Sequence, residues 1–340
     1  MSRGLGDVYK RQVLGANWVG ARGFTPTSGP GISLMSEFIG FAYYAEIPSV
    51  FIDVQRVGPS TGMPTRTQQC DVMLCAYASH GDTKHPILFP SNPHECFQMA
   101  VTSFDLAERL QTPVFMLSDL DIGMNDWMIP ELSWDDSYRP DRGKVLGAED
   151  LEKMERFVRY LDVDGDGITY RTLPGEHPKG AYFTRGSGHN RYGGYTEDSD
   201  QYQDVIDRLL VKWETAKTMV PDALLSKAER PTKLGIVAFG SSDGAVIEAR
   251  DRLAEQGVHA DYLRIRAFPF THEVVEFLRS HDTNFVVEQN RDAQMKSLLM
   301  LEANDIADRL VSILHYNGTP IPAECVVQGV SRHLEEEAAA

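Results

Sequence analysis

The chain has 340 residues, 42% hydrophobic and 24% charged, the make-up of a water-soluble globular protein with room for two α/β domains. Its 49 acidic against 33 basic side chains, a net charge of −16, exclude attraction to nucleic acid or to an anionic membrane through bulk charge. No apolar run approaches the ~20 residues of a membrane helix and no secretory pattern is seen, so no membrane contact and a cytoplasmic location are expected. Cys70, Cys75, Cys96 and Cys325 contain no C-x-x-C, so no metal or cluster site is expected from this chain and reduced thiols are.

Met1 to Gln12 lacks apolar periodicity and joins abruptly to Val13-Leu14-Gly15-Ala16. Asp7 to Gln12 also matches the translated end of a sequencing-library adapter. Residues 1–12 are therefore expected to be a non-native or disordered leader, with the start of the first domain upstream of Val13. Val13–Val19 reads as the tail of a helix and Arg22–Pro26 as a strand. The turn Thr27-Ser28-Gly29-Pro30-Gly31 then leads into a helix over Gly31–Ala45, with Ser28 or Gly29 as its cap and Pro30 at its first position. Val50-Phe51-Ile52 is an apolar run of the kind buried on both sheet faces, ending in Asp53-Val54-Gln55-Arg56. A second turn, Gly58-Pro59-Ser60-Thr61-Gly62, follows. Ligands of parallel sheets collect beyond the carboxyl ends of strands, which is where both turns and Arg56 fall.

A helix over Val72–Ala78, the loop Ser79–Asp82 and a strand over Pro86–Phe89 come next. Asn92, Pro93 and Glu95 form a helix start with a capping box, and Phe97, Ala100, Val101, Phe104, Ala107 and Leu110 recur at helical spacing. Pro113–Leu117 is another buried strand. Strands alternating with such helices predict a parallel sheet. Between Asn125 and Pro231 the pattern turns irregular. Asp162, Asp164, Asp166 and Gly167 mimic half a calcium loop, but position twelve is Leu173, so a plain Asp/Gly turn is expected. Thr184–Asn190 reads as an exposed polar surface loop and Tyr202–Met219 as a helix leading to the second domain.

From residue 231 the alternation resumes. A strand over Lys233–Phe239 leads into Gly240-Ser241-Ser242, a turn that either cradles an anion or simply connects to the helix Asp243–Gln256, closed by Gly257. Strands follow at Tyr262–Ile265, Phe285–Glu288 and Ile313–Tyr316. Residues 331–340 read as a solvated acidic tail.

Three ordered strings say more: Thr27-Ser28-Gly29-Pro30-Gly31-x-Ser33-Leu34-Met35-x-Glu37, the segment Asp53-Val54-Gln55-Arg56-x-Gly58-Pro59-Ser60-Thr61-Gly62-x-Pro64-Thr65-Arg66, and Gln69-x-Asp71. They resemble the α subunit of 2-oxoacid:ferredoxin oxidoreductases, most closely the 2-oxoglutarate type. The resemblance continues through His80-Gly81-Asp82, Arg171-Thr172-Leu173-Pro174-Gly175, Arg185-Gly186 and Val287-Glu288-Gln289-Asn290. It implies an α/β fold with a thiamine-diphosphate-binding, pyrimidine-type parallel-sheet domain over 13–128, N-terminally incomplete. A connecting region over 129–230 and a transketolase C-terminal-like domain over 231–330 would follow.

The function implied is oxidative decarboxylation of a 2-oxoacid with coenzyme A, giving an acyl-CoA and CO₂, with electrons passed to ferredoxin. Thiamine diphosphate would be shared with a β subunit that carries magnesium and a [4Fe–4S] cluster. Arg56 matches the arginine that grips the substrate carboxylate, a task suited to a planar bidentate donor. Arg66 would also touch substrate, with Gly58, Ser60, Thr61 and Gly62 as the wall. Thr27, Ser28, Gly29, Pro30 and Gly31 would approach the thiamine, and His80 would donate a proton or a hydrogen bond. The residues alone leave alternatives: a salt bridge for Arg56, a helix-capping turn for Thr27–Gly31, a structural role for His80. A transketolase-like subunit without electron transfer, or a non-catalytic interaction subunit, is the competing reading of the whole. One departure is expected to matter. The family glutamate that contacts the pyrimidine lies in a Q-x-E-D-E-like segment upstream of T-S-G-P-G, and a Y-P-I-T-P-like loop lies further upstream. Neither string occurs here, Glu37 and Glu46 lie downstream, and with the domain's start upstream the chain as written is expected to be inactive alone and even with its partner.

Overall fold

The computed structural model describes residues 5–339; Met1–Gly4, the start of the expected leader, and Ala340 lie outside the described residues. Helix α1 (Leu5–Trp18) extends the helix read from Val13 back to Leu5, into the expected leader. The first domain continues with β1 (Phe24–Thr27), α2 (Gly29–Tyr44), β2 (Ser49–Gln55), α3 (Val72–Ala76), β3 (Ile87–Leu88), α4 (Pro93–Leu110), β4 (Pro113–Asp119) and α5 (Leu120–Met124). Its strands run in the order β1-β2-β4-β3, all parallel. Ile32, Met35 and Ile39 of α2 pack against Phe51 of β2, whose ring stacks on Phe115 of β4 with centroids 5.3 Å apart. Pro30 lies in the first turn of α2, and Ser28 begins the helix through its carbonyl, which accepts from Gly31 N at 2.7 Å, while its side chain makes no capping bond. Asn92 caps α4 as its sequence predicts, accepting from Glu95 N at 3.0 Å. Glu95, however, turns away from the cap. It accepts from Ser91 N at 2.9 Å and pairs with Arg264 at 2.6 Å, because a buried carboxylate gains more from a guanidinium than from a lone amide.

The connecting region carries α6 (Ala148–Lys153), a short 3₁₀ turn at Pro178–Gly180 and α7 (Ser199–Ala216). α7 is fastened to the first domain. Arg208 and Lys212 reach the fully buried Glu46 carboxylate, at 2.5 and 2.8 Å, and Arg159 donates to the Glu46 carbonyl at 3.1 Å. The Asp/Gly turn holds an ammonium where a cation would sit in a calcium loop. Lys144 Nζ lies 2.6 Å from Asp164 and 2.8 Å from Asp166 and donates to Ile168 O at 2.9 Å, while Asp162 accepts from the amides of Asp164, Gly165 and Gly167. The loop at 184–190 corrects the expectation of a wholly exposed segment. His189 is fully buried between the rings of Tyr44 and Tyr160, at 4.6 and 4.1 Å, and Trp18 Nε1 donates to Thr184 Oγ1 at 2.6 Å. The polar sequence hid this because aromatic partners far along the chain supply the cover.

The second domain is built from β5 (Leu224–Ser226), β6 (Leu234–Phe239), α8 (Asp243–Glu255), β7 (Asp261–Ile265), β8 (Ala267–Phe268), α9 (His272–Ser280), β9 (Thr283–Glu288), α10 (Gln294–Glu302), β10 (Leu310–Leu314) and α11 (Ala323–Ala339). Its sheet order is β10-β9-β6-β7-β5, parallel except for β5 at the edge. Residues 331–339 continue α11, with their acidic side chains mostly in solvent. β8 leaves this sheet and pairs antiparallel with β3, so the second domain adds the fifth strand of the first sheet.

The two sheets meet at their carboxyl ends through a buried polar seam. Gln69 Nε2 donates to Phe239 O at 3.0 Å, and its Oε1 accepts from Gln289 N at 3.1 Å and Ser242 Oγ at 3.2 Å. Ser241 Oγ donates to Asp119 at 2.6 Å. Gly240 turns here with φ +57°, and a Cβ on it would lie 2.9 Å from the Gln69 amide nitrogen. The Gly240-Ser241-Ser242 turn is thus occupied by protein side chains from the first domain.

Two stability predictions follow from these buried groups. Glu46 faces three cations, and their charge holds its carboxyl far below the usual range against the opposing effect of burial. Burial, reinforced by the neighbouring arginines, drops Lys212 to about 8 despite the carboxylate beside it. Glu46→Gln should therefore cost about 3–5 kcal/mol in denaturant unfolding, whereas Lys212→Met should cost less than ~1 kcal/mol. Because the folded state gives up the Lys212 proton before the unfolded chain does, wild type should gain stability relative to Lys212→Met between about pH 8 and 10.5. Gln69→Ala leaves buried donors and acceptors of the seam unpaired, and should lower unfolding free energy by about 2–4 kcal/mol and expose the amide of Gln289 to hydrogen exchange.

Candidate functional site

The registered pair Thr27 and Asp53 puts the carboxyl ends of β1 and β2 side by side, so the Thr27–Gly31 turn stands next to Asp53 and the segment that follows it. Both glycines of this turn are required by polar neighbours. A Cβ on Gly31 would fall on Thr27 Oγ1, and a Cβ on Gly29 would lie 2.5 Å from Asp71 Oδ1. What comes close to this backbone is a hydroxyl and a carboxyl group of the same chain.

Arg56 is the residue after β2, and its backbone is pinned on both sides. Asp71 N donates to Gln55 Oε1 at 3.0 Å, Cys70 Sγ donates to Arg56 O at 3.3 Å, and Val57 N donates to Arg66 O at 2.9 Å. Its side chain is half-buried, its Nε is buried with no hydrogen-bond partner, and among the described residues it has no ion pair. The charges of Asp53 and Asp71 act on it without a salt-bridge contact among the described residues. A guanidinium with an unspent fork at the ligand-side edge of a parallel sheet is suited to a carboxylate.

Behind Arg56 lie two acids that sequence reasoning did not single out. Asp53 and Asp71 face one another, and Cys75 Sγ stands 3.8 Å from Asp53 Oδ2. Burial, with the negative charge of Asp71, pushes the Asp53 carboxyl well above its ordinary range. Burial raises Asp71 to about 6, tempered by its neighbour Asp53 and by the Arg56 charge. Burial also lifts the Cys70 thiol to about 12, so it stays protonated and unreactive. The signal available in the sequence was an acid placed inside the apolar run Val50–Val54, together with Gln69-x-Asp71.

The other predicted residues divide. Ser60, Thr61 and Gly62 form an exposed turn whose tightness demands glycine at 62, where a Cβ would fall on Val57 O. Gly58 is open, with only Cys70 Sγ within 4 Å of an added Cβ, at 3.8 Å. Arg66 is exposed at the end of the same loop, its Cβ against Gly318 of the second domain. His80 is not brought to this edge. It is exposed, bonded to Ser79 Oγ at 3.3 Å, and Ser79 lies against Gly40, about three turns along α2 from Gly29. A cavity of about 310 Å³ opens at the seam beside Asp121, Trp127, Ser241 and Arg252; Arg56 is not in its lining.

Residues 10–144 match the protein family described as pyruvate flavodoxin/ferredoxin oxidoreductase, thiamine diP-bdg. The α subunit of 2-oxoacid:ferredoxin oxidoreductase 2 of Aeropyrum pernix is 34% identical over 328 residues, 95% of this chain and 50% of that protein. This chain thus spans about half that relative's length. The 2-oxoglutarate synthase subunit KorA of Methanothermobacter thermautotrophicus is 32% identical over 291 residues, 83% of this chain and 73% of that protein. Among solved structures, 2-oxoglutarate:ferredoxin oxidoreductase from Magnetococcus marinus, with 2-oxoglutarate, coenzyme A and succinyl-CoA bound, superposes with a TM-score of 0.88 at 27% identity, over 96% of this chain and 56% of that one. A split-gene transketolase, at 12% identity and a TM-score of 0.55, shares the fold alone. Among the described residues no helix is long and apolar enough to cross a membrane. On the match across most of the Methanothermobacter subunit, the chain belongs to the α-subunit family of the 2-oxoacid:ferredoxin oxidoreductases.

Proposed function

We infer that the chain works, with a β subunit, in the oxidative decarboxylation of a 2-oxoacid and coenzyme A to an acyl-CoA and CO₂, with the electrons passed to ferredoxin. 2-Oxoglutarate is the favoured substrate, supported by the relatives named 2-oxoglutarate synthase and by the Magnetococcus structure that holds 2-oxoglutarate and succinyl-CoA. The observation that carries the reading is the unspent Arg56 fork at the carboxyl end of β2. Bound there, a 2-oxoacid would give its carboxylate to Arg56 in two parallel hydrogen bonds and hold its keto carbon at a fixed distance from the glycine-proline turns. Thiamine diphosphate, when bound, supplies the electron sink that makes loss of CO₂ possible. The residues here fit an approach by its flat ring, since Gly58 is open on its outer side and the Thr27–Gly31 backbone is fixed by its own glycines. Magnesium and the [4Fe–4S] cluster are assigned to the β subunit. Arg66 is proposed as a further contact to substrate at the rim, and Ser60 and Thr61 as wall.

In an α/β enzyme whose α subunit also carries the cofactor-activating glutamate segment, Arg56→Ala should lower kcat/KM for 2-oxoglutarate by roughly 30-fold or more, about 2 kcal/mol or more, measured by reduction of a viologen. Arg56→Lys should recover only part of the loss, because an ammonium cannot make the paired bonds of a guanidinium. An unchanged kcat/KM in Arg56→Ala would rule out this role. Thiamine-dependent ketol formation with no electron acceptor would instead favour a transketolase-like subunit.

A further inference from the structure

We propose that Gln294, in the first turn of α10 in the second domain, is a positioning residue for Arg56, acting through the backbone and thiol of Cys70. The inference rests on the function proposed above and deepens it by naming what holds the substrate arginine in place. The registered pairs of β2 with β4 end at Gln55 and Asp119, so Arg56 is the first residue beyond the paired part of the strand. Its carbonyl accepts from Cys70 Sγ at 3.3 Å, and the thiol keeps the proton this needs, since burial raises it to about 12. One residue earlier, Gln55 Oε1 accepts from Asp71 N at 3.0 Å. The end of β2 is therefore only as well placed as residues 70 and 71.

Residues 67–71 belong to no helix or strand, and contacts from the second domain hold them. Gln294 Nε2 donates to Cys70 O at 2.7 Å and its Oε1 accepts from Met73 N at 3.1 Å, so one amide spans the loop and the start of α3. Only a side chain that both donates and accepts can do this; a carboxylate at 294 would face the Cys70 carbonyl without a proton. Two further bonds run alongside, from Gln69 N to Gln289 O at 2.8 Å and from Asn290 Nδ2 to Gln69 O at 3.0 Å. They hold Gln69, one residue short of Cys70. The backbone before Gln294 is bent to aim it. Ala293 has φ +51° and ψ +52°, the left-handed region that an alanine side chain disfavours. Asn290 Oδ1 accepts from Gln294 N at 3.2 Å and fixes the residue from its own domain. A strained residue just ahead of an interdomain contact marks a constraint that helix formation does not impose. A guanidinium makes paired bonds to a carboxylate only when its fork is aimed. That grip exists before the chemistry begins, so loosening it shows first in KM.

The test uses an α/β enzyme whose α subunit also carries the cofactor-activating glutamate segment. Gln294→Ala should raise KM for 2-oxoglutarate about five- to tenfold and leave kcat within about twofold. Gln294→Glu keeps the bond from Met73 N, loses the donor to Cys70 O and should show the same rise; it serves where the alanine variant does not fold. Cys70→Ala should raise KM in the same way, and Cys70→Ser, which restores a donor to the Arg56 carbonyl, should recover most of the loss. A residue that only stabilised the fold would lower the amount of active enzyme and leave KM alone. The deciding measurement is a double-mutant cycle. In an Arg56→Ala background, Gln294→Ala should change kcat/KM by less than about twofold, because the arginine through which it acts is gone. Equal losses in the two backgrounds, or an unchanged KM in Gln294→Ala and Gln294→Glu, would overturn the proposal. Hydrogen exchange supplies a readout without turnover: the amides of Val57 and Asp71 should exchange about tenfold faster or more in Gln294→Ala. Wild-type exchange at both amides would by itself overturn the positioning role. If Arg56→Ala leaves kcat/KM unchanged, the function proposed above fails, and the exchange still decides whether Gln294 holds the end of β2.

Discussion

The ligand edge of this protein exists because one buried amide, that of Gln69, joins the carboxyl ends of two sheets. Its side chain bonds to the end of β6, to the turn after it and to the amide that follows β9. Gln294 adds a second fastening, donating to Cys70 O at 2.7 Å and accepting from Met73 N at 3.1 Å. The segment between Gln69 and Met73 is therefore held by the second domain, and this same segment carries Cys70 and Asp71, which pin Arg56. Position is thus transmitted from the second domain to the candidate substrate arginine through a chain of satisfied hydrogen bonds. Buried amides leave no alternative partner, so the arrangement is specific as well as stabilising.

Two buried acidic centres show how partner count decides ionisation. Glu46 lies at the amino end of β2 with Arg208, Lys212 and Arg159 around it, and is held charged. Asp53 lies near the carboxyl end of the same strand beside another acid and no contacting cation, and burial pushes its carboxyl well above the ordinary range. The first centre fastens α7 to the domain and sits at the sheet end opposite the glycine-proline turns. The second stands at the ligand edge. The difference in environment, over a single strand, separates a structural charge from one available to chemistry.

Much of the fold was legible from the chain itself, for local reasons. Pro30 and Asn92 start their helices where predicted, and the apolar runs at Val50 and Pro113 are central strands, because these signals act within a few residues. The candidate site was legible in part. Arg56 and the two turns fall at one edge, but His80 does not join them, since the short helix α3 carries it along α2. The burial of His189 and the route of Glu95 to Arg264 depend on residues with no sequence proximity.

The sequence by itself determined where strands alternate with helices, which turns need glycine and which family the ordered motifs belong to, because backbone sterics and apolar periodicity are written into neighbouring residues. The tertiary structure alone decided which charges meet. Gln69 bonds to an amide 220 positions away, and Asp53 finds Asp71 across a loop. Whether an acid is ionised, and whether an arginine is already paired, depends on desolvation and on partners that only folding brings together.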